Sequence, residues 1–272
     1  PRTSSAASDV YKRQAYSLHN LSKVHYPMLR DYIIVLSKRG LTMRSINRKC
    51  SALKSLYAYF QKIGIIEVHP FAQHKAVKAK KAFITPFSVA ELNTVLEQID
   101  RSDFAGLRDA TAIELLYGTG IRQAELIGLK TSDIDWAQGQ MRVLGKRNKE
   151  RLVPIIPALA TTLKHYVTQR KNWPGTSVHS FLLVTNKGNK TYPAFVYRLI
   201  KTYFRSISNN ISTSPHVLRH SFATHMLDAG ADINVVKEIL GHESLAATQE
   251  YTKVQLPKVQ DAYRAAHPRA KK

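Results

Sequence analysis

Apolar residues recur at helical spacing over two stretches near the start of the chain. In M-L-R-D-Y-I-I-V-L-S-K-R-G, Leu29, Ile33 and Leu36 share a face, and Gly40 offers a C-terminal cap. Thr42 opens a second helix, T-M-R-S-I-N-R-K-C-S-A-L-K-S-L-Y-A-Y-F, in which Ile46, Cys50, Leu53, Leu56, Tyr57 and Phe60 form an apolar stripe. Gly64 and Pro70 punctuate the end of this unit, and His74–Lys81 (H-K-A-V-K-A-K-K) has the composition of a connector, with Val77 its one large apolar residue.

A new pattern starts at Ser88, where S-V-A-E matches a capping box ahead of Leu92, Val95 and Leu96. A helix through Asp109–Tyr117 follows, then a glycine turn over Gly118–Leu126 (G-T-G-I-R-Q-A-E-L) that leads into a short helix and presents Arg122. From Asp133 to Ile156 apolar and polar residues alternate around Gly139 and again around Gly145–Asn148, the pattern of antiparallel strands with polar turns. The rest is helical, with polar breaks near Asn172–Ser177, Asn186–Lys190 and Asn209–Ser214. The expected fold is mainly α with a small antiparallel β-sheet. It comprises a helical domain over 15–73, a basic linker over 74–86 and a larger domain over 87–272. Pro1–Gln14 has no apolar period and is set apart as a non-native or truncated start.

Charge narrows the partners. Forty-one Lys and Arg against 19 Asp and Glu leave +22 over 272 residues, a field that attracts a polyanion, nucleic acid first. Residues 1–86 carry +13 of it and residues 87–272 carry +9. Arg44, Arg48, Lys49 and Lys54 lie mostly off the stripe of the second helix, Lys78, Lys80 and Lys81 fall in the connector, and Arg147 and Lys149 in the turn after Gly145. These nine are the expected DNA contacts. The single Cys50 excludes an intrachain disulfide and a cysteine-based zinc site, and no apolar run reaches the ~18 residues of a membrane span. A cytoplasmic protein is expected.

The chemistry concentrates in Pro215–Tyr251, which reads P-H-V-L-R-H-S-F-A-T-H, then I-L-G-H-E-S, then Q-E-Y-T. An arginine clamps phosphate oxygens, histidines donate protons or hydrogen bonds, and a tyrosine hydroxyl can attack as a nucleophile. His216, His220 and His225 fall at roughly helical spacing, but Arg219 beside them disfavours a cation, so no metal is expected; His220 and His225 are assigned to packing or hydrogen bonding. Glu125, three residues after Arg122, is expected to orient an arginine or cap a helix.

G-T-G-I-R-Q-A-E, G-K-R-N-K-E-R-L-V-P, Pro215–His225, Leu240-Gly241-His242 and Tyr251, in that order, resemble the tyrosine recombinase (phage integrase) family, and its Xer-like branch most nearly. The resemblance covers residues 25–268. It implies a helical core-binding (SAM-like) domain followed by a tyrosine-recombinase catalytic domain. It implies a catalytic set of Arg122, Lys146, His216, Arg219, His242 and Tyr251, acting through a 3′-phosphotyrosyl intermediate without a cofactor. It further implies double-stranded DNA as partner, and a homo- or hetero-tetramer on two duplexes joined through a C-terminal tail, whose short helix is marked by Val259, Ala262, Tyr263 and Ala266. The task implied is chromosome-dimer resolution or mobile-element integration and excision. Two features depart from the pattern. Arg147 stands where the family often has glycine, and Pro1–Gln14 stands where the smaller domain normally has its first helix. A topoisomerase-like nicking and resealing enzyme and a non-catalytic DNA-binding protein are the alternatives.

Overall fold

The computed structural model describes residues 23–79, 85–145, 148–176, 179–207, 213–241 and 255–270, the side chains of the last segment from 259. Contacts divide the chain into two compact units, Pro1–Phe83 and Ile84–Lys272.

In the first unit α1 (Tyr26–Lys38) and α2 (Met43–Lys62) form a helical pair. Pro27 sits in the first turn of α1, where its missing N–H costs no hydrogen bond, and Gly40 turns the chain at φ 76°. The Thr42 hydroxyl accepts from Ser45 N–H and caps α2. Leu29, Leu36, Ile46, Cys50, Tyr57, Ile66 and Phe71 make the core. Leu56 corrects the expected stripe, being 43% exposed. At 3.6 residues per turn it lies about 80° around the helix from Ile46, on the edge of the buried face. After α2 the chain folds back on the helix. Asn47 pairs both amide groups with the Val77 backbone, at 2.7 and 3.1 Å, and Lys54 Nζ donates to the carbonyls of Ala72 and His74 at 2.8 and 3.2 Å.

The second unit begins with α3 (Val89–Gln98), whose Ser88 and Glu91 form the expected capping box. Its centre is α4 (Phe104–Thr119), buried on nearly every side, and its buried charges are paired, Glu114 with Arg101 at 3.0 Å and Arg108 with Asp109 at 2.6 Å. Helix α5 (Gln123–Gly128) leads to a three-stranded antiparallel sheet of β1 (Ile134–Asp135), β2 (Gln140–Leu144) and β3 (Glu150–Pro154), in that order. β2 and β3 form a hairpin whose register runs from Gln140 opposite Pro154 to Leu144 opposite Glu150. Then come α6 (Pro157–Lys171), α7 (Pro193–Phe204), α8 (Pro215–Asp228), α9 (Ile233–Leu240) and α10 (Gln255–Ala266). One apolar core joins all of these elements except β1's exposed end. The expected glycine turn is shorter than its sequence implied. Gly118 and Thr119 stay in α4, and the reversal occurs at Gly120 alone, at φ 62°. Gly118 lies against α6, where a Cβ would be in van der Waals contact with Leu159, and its carbonyl accepts from the buried Tyr263 hydroxyl.

Candidate active site

Three consecutive carbonyls end α9, and each takes a different arginine. Arg151 Nε donates to Ile239 O at 2.8 Å, Arg219 Nη2 to Leu240 O at 2.7 Å, and Arg122 Nη2 to Gly241 O at 3.1 Å. The last turn of any helix leaves carbonyls without intrahelical partners at the negative end of its dipole. Here guanidiniums fill that role, arriving from β3, from α8 and from the turn after α4.

Each arginine has a second anchor. Arg219 Nη1 donates to Gly120 O at 2.5 Å, which the left-handed Gly120 turns toward it. Arg122 Nη1 donates to Glu125 Oε1 at 2.8 Å, while Glu125 Oε2 accepts the Arg122 backbone N–H at 2.7 Å and caps α5. Arg151 grips the same carboxylate with both ends of its fork, Nη1 to Oε1 at 2.9 Å and Nη2 to Oε2 at 2.8 Å. Glu125 thus both orients an arginine and caps a helix, as its position in the sequence implied.

Burial alone raises a carboxyl pKa, but the two guanidiniums outweigh it and hold Glu125 below its ordinary value. Arg219, 7% exposed, is lowered to about 10 by desolvation, with Arg122 and Arg151 adding repulsion that Glu125 partly offsets. It remains a cation at neutral pH. Three guanidiniums face one carboxylate, so the cluster keeps a surplus of positive charge suited to a phosphodiester and to the more highly charged transition state of its cleavage.

Arg122 and Arg219 line an open cleft with His216, Tyr197, Ser214 and Pro215. His216 is exposed in the first turn of α8, whose Pro215 supplies no N–H and whose N-terminus brings partial positive charge to the cleft. Of the six expected catalytic residues the structure thus brings Arg122, His216 and Arg219 together. Lys146, His242 and Tyr251 lie outside the described residues.

The expected DNA contacts divide by environment. Arg44, Arg48, Lys49, Lys78 and Lys149 are exposed; Lys54 is half-buried and bound to the carbonyls of Ala72 and His74. The Lys149 carbonyl accepts from Gly145 N–H at 2.8 Å and closes the β2–β3 turn, in which Asn148 takes φ 62°. Lys80, Lys81 and Arg147 lie outside the described residues. His225 shares a 2.9 Å hydrogen bond with the buried Tyr117 hydroxyl, a packing role, and His220 is exposed. Among the described residues no His, Cys, Asp and Glu cluster is arranged to hold a metal, and no helix is long and apolar enough to cross a membrane.

Arg151 is the residue that sequence reasoning missed, though a signal was present. In β3 the side chains alternate, and Arg151 takes the inward phase with Val153 while Leu152 points out and is 37% exposed. A charged residue in the inward phase beside an outward leucine marks a buried ion partner.

Comparison with known proteins places the chain in a family. The phage integrase family matches residues 82–256, more than half of the chain. The tyrosine recombinase XerC of Chlorobaculum tepidum is 35% identical over 263 residues, covering 89% of this chain and 78% of that protein. XerC of Oceanobacillus iheyensis is 35% identical over 256 residues, covering 93% and 84%. The XerH site-specific recombinase, solved as a post-cleavage complex on palindromic difH substrate, shares the fold with a TM-score of 0.71 at 24% identity, over 93% of this chain and 75% of that one. The chain belongs to the phage integrase family. Within that family it is a tyrosine-type site-specific recombinase of the Xer-like branch.

Proposed function

We propose that this protein cleaves and rejoins double-stranded DNA through Tyr251, with the arginine cradle at the end of α9 holding the scissile phosphate. The observation that carries the reading is the alignment of Arg122 and Arg219 on neighbouring carbonyls, Gly241 O and Leu240 O, at the edge of one cleft. Each commits two N–H donors to the protein, through Glu125 and Gly241 for Arg122 and through Gly120 and Leu240 for Arg219. A guanidinium has five, so among the described residues neither arginine uses all its donors, which leaves capacity for non-bridging phosphate oxygens.

In this reading the Tyr251 hydroxyl loses its proton, with His216 assisting, and its oxygen attacks phosphorus. The bond from phosphorus to the 5′-oxygen breaks, and Lys146 gives that oxygen a proton. His242 donates a hydrogen bond to the phosphate. The 5′-hydroxyl of a second strand then attacks the 3′-phosphotyrosyl link and restores the backbone. The bond broken and the bond made are of one kind, so no cofactor has to drive the reaction. Exchange between two duplexes requires several protomers. Assembly as a homo- or hetero-tetramer, in which the C-terminal tail helix would exchange its place in the core of its own unit for one on a neighbouring protomer, and action in the cytoplasm, belong to the same proposal. The basic residues Arg44, Arg48, Lys49, Lys78, Lys80, Lys81, Arg147 and Lys149 serve phosphate contact, and Lys54 contributes by fastening residues 72–74.

A duplex carrying a site selected from a random library, nicked beside the cleavage position, tests this directly. Wild type accumulates a covalent protein–DNA adduct and Tyr251→Phe binds the duplex without forming one. Arg219→Ala lowers the rate of adduct formation about 10²–10³-fold while keeping most DNA affinity. No adduct with wild type sinks the proposal, and an adduct without exchange between two labelled duplexes replaces it with nicking and resealing.

A further inference from the structure

We propose that Arg151 is a positioning residue for strand cleavage, holding Glu125 in the one place from which Glu125 can hold Arg122. The inference rests on the recombinase reading and adds to it a residue that does not meet the phosphate.

Three observations carry it. Glu125 Oε1 is shared, taking Arg151 Nη1 at 2.9 Å and Arg122 Nη1 at 2.8 Å, so displacement of one guanidinium moves the acceptor of the other. Arg151 is satisfied by two separate elements, Glu125 in α5 and Ile239 O at the end of α9, and ties both to the β2–β3 hairpin. Its place is also shaped for it: a Cβ on Gly241 would lie 3.0 Å from Arg151 Nη1 and 3.1 Å from its Cδ, and Gly241 itself adopts φ 63°.

An apolar side chain of similar size would fill this inward β3 position without the desolvation penalty of a buried ion pair. The arrangement has a geometric use instead. A rigid fork that grips both carboxylate oxygens fixes the rotation of Glu125 as well as its distance, which a lysine ammonium does not do. Arg122 is 40% exposed at its side chain, and among the described residues its guanidinium donates to Glu125 Oε1 and Gly241 O, so its aim at a phosphate depends on that rotation.

Arg151→Lys tests the inference in single-turnover adduct formation on the selected, nicked duplex. The expected result is a rate on the order of 10- to 100-fold below wild type, the scale of a small misplacement in an active site, with DNA affinity retained. The same assay on a duplex with a methylphosphonate at the scissile position separates positioning from simple loss of structure. That substrate lacks the charge Arg122 compensates, so the deficit relative to wild type shrinks there. Glu125→Asp, which keeps the charge and withdraws the carboxylate, gives the same signature and decides the matter if Arg151→Lys does not fold. Wild-type rates in the variants, or a deficit of equal size on both substrates, overturn the inference while leaving the recombinase reading intact. Absence of an adduct with wild type overturns that reading, and the inference with it.

Discussion

At Glu125 a single buried carboxylate answers two guanidiniums and one backbone N–H. Neutralising it leaves Arg151 buried with its fork facing an amide, and Glu125→Gln is expected to lower unfolding free energy by about 3–5 kcal/mol. The pH dependence has a definite sign. The folded pKa of Glu125 lies below its unfolded value, so between the two the unfolded chain binds a proton that the folded chain does not. Its stabilisation is complete above the ordinary carboxylate range and disappears as pH falls through the folded value. Urea midpoints measured down that acid range fall for wild type, and fall less steeply for Glu125→Gln. Equal slopes would show that the carboxylate's ionisation does not stabilise the fold.

Helix ends rather than helix bodies organise the site at the next scale. α4 ends at Gly120 and α9 at Gly241, both left-handed, and the two reversals bring their carbonyls to the arginines. A Cβ at Gly120 would collide with the Phe222 ring and come within 2.7 Å of Leu240 Cδ2. Gly120→Ala therefore overpacks the core for about 1–3 kcal/mol and adds backbone strain of about 1–2 kcal/mol. Because Gly120 O also anchors Arg219, adduct formation falls beyond what the loss of folded protein explains, a comparison that thermal melts and single-turnover rates make together.

α10 is an element of a different kind, an expected tail that here seats Val259, Tyr263 and Ala266 in the core of its own unit. Behind it His267 is 1% exposed, and its Nδ1 accepts from Arg269 N–H at 3.2 Å. Burial depresses its pKa to about 4, with Arg269 and His225 adding repulsion. Between about 6.5 and 4 the unfolded chain holds the proton that the folded chain refuses, so His267 costs stability as pH falls through that window, by on the order of 3 kcal/mol. The melting temperature of wild type should drop between pH 7 and pH 5, and that of His267→Phe should drop less. Parallel curves would remove His267 from the docking of this helix.

For the whole molecule the dominant quantity is the net charge of +22. Each phosphate contact releases counterions and contributes about 0.9 to the slope of log affinity against log salt. Replacing Arg44, Arg48 and Lys49 together by Gln is expected to flatten that slope by about two to three, with cleavage at saturating DNA unchanged. An unaltered slope would take this exposed face of α2 out of the DNA interface. Much of the architecture was legible along the chain because it follows from local rules: the stripe of α2, the Ser88 capping box, and the alternation that makes β2 and β3. Leu56 was misread because a stripe's edge depends on what packs against it. The family was legible too, since five motifs in fixed order carried it. The arginine cluster was not. Periodicity places Arg122, Arg151 and Arg219 on a turn, a strand and a helix, and no local rule states that all three meet the last carbonyls of a fourth element. The sequence by itself determined which residues could do the chemistry and which elements bear them, because hydrophobic spacing and capping act within a few residues. Only the tertiary structure decided that Glu125 is shared and Arg151 enlisted, because a buried charge takes its partner from whatever the fold brings within hydrogen-bonding distance.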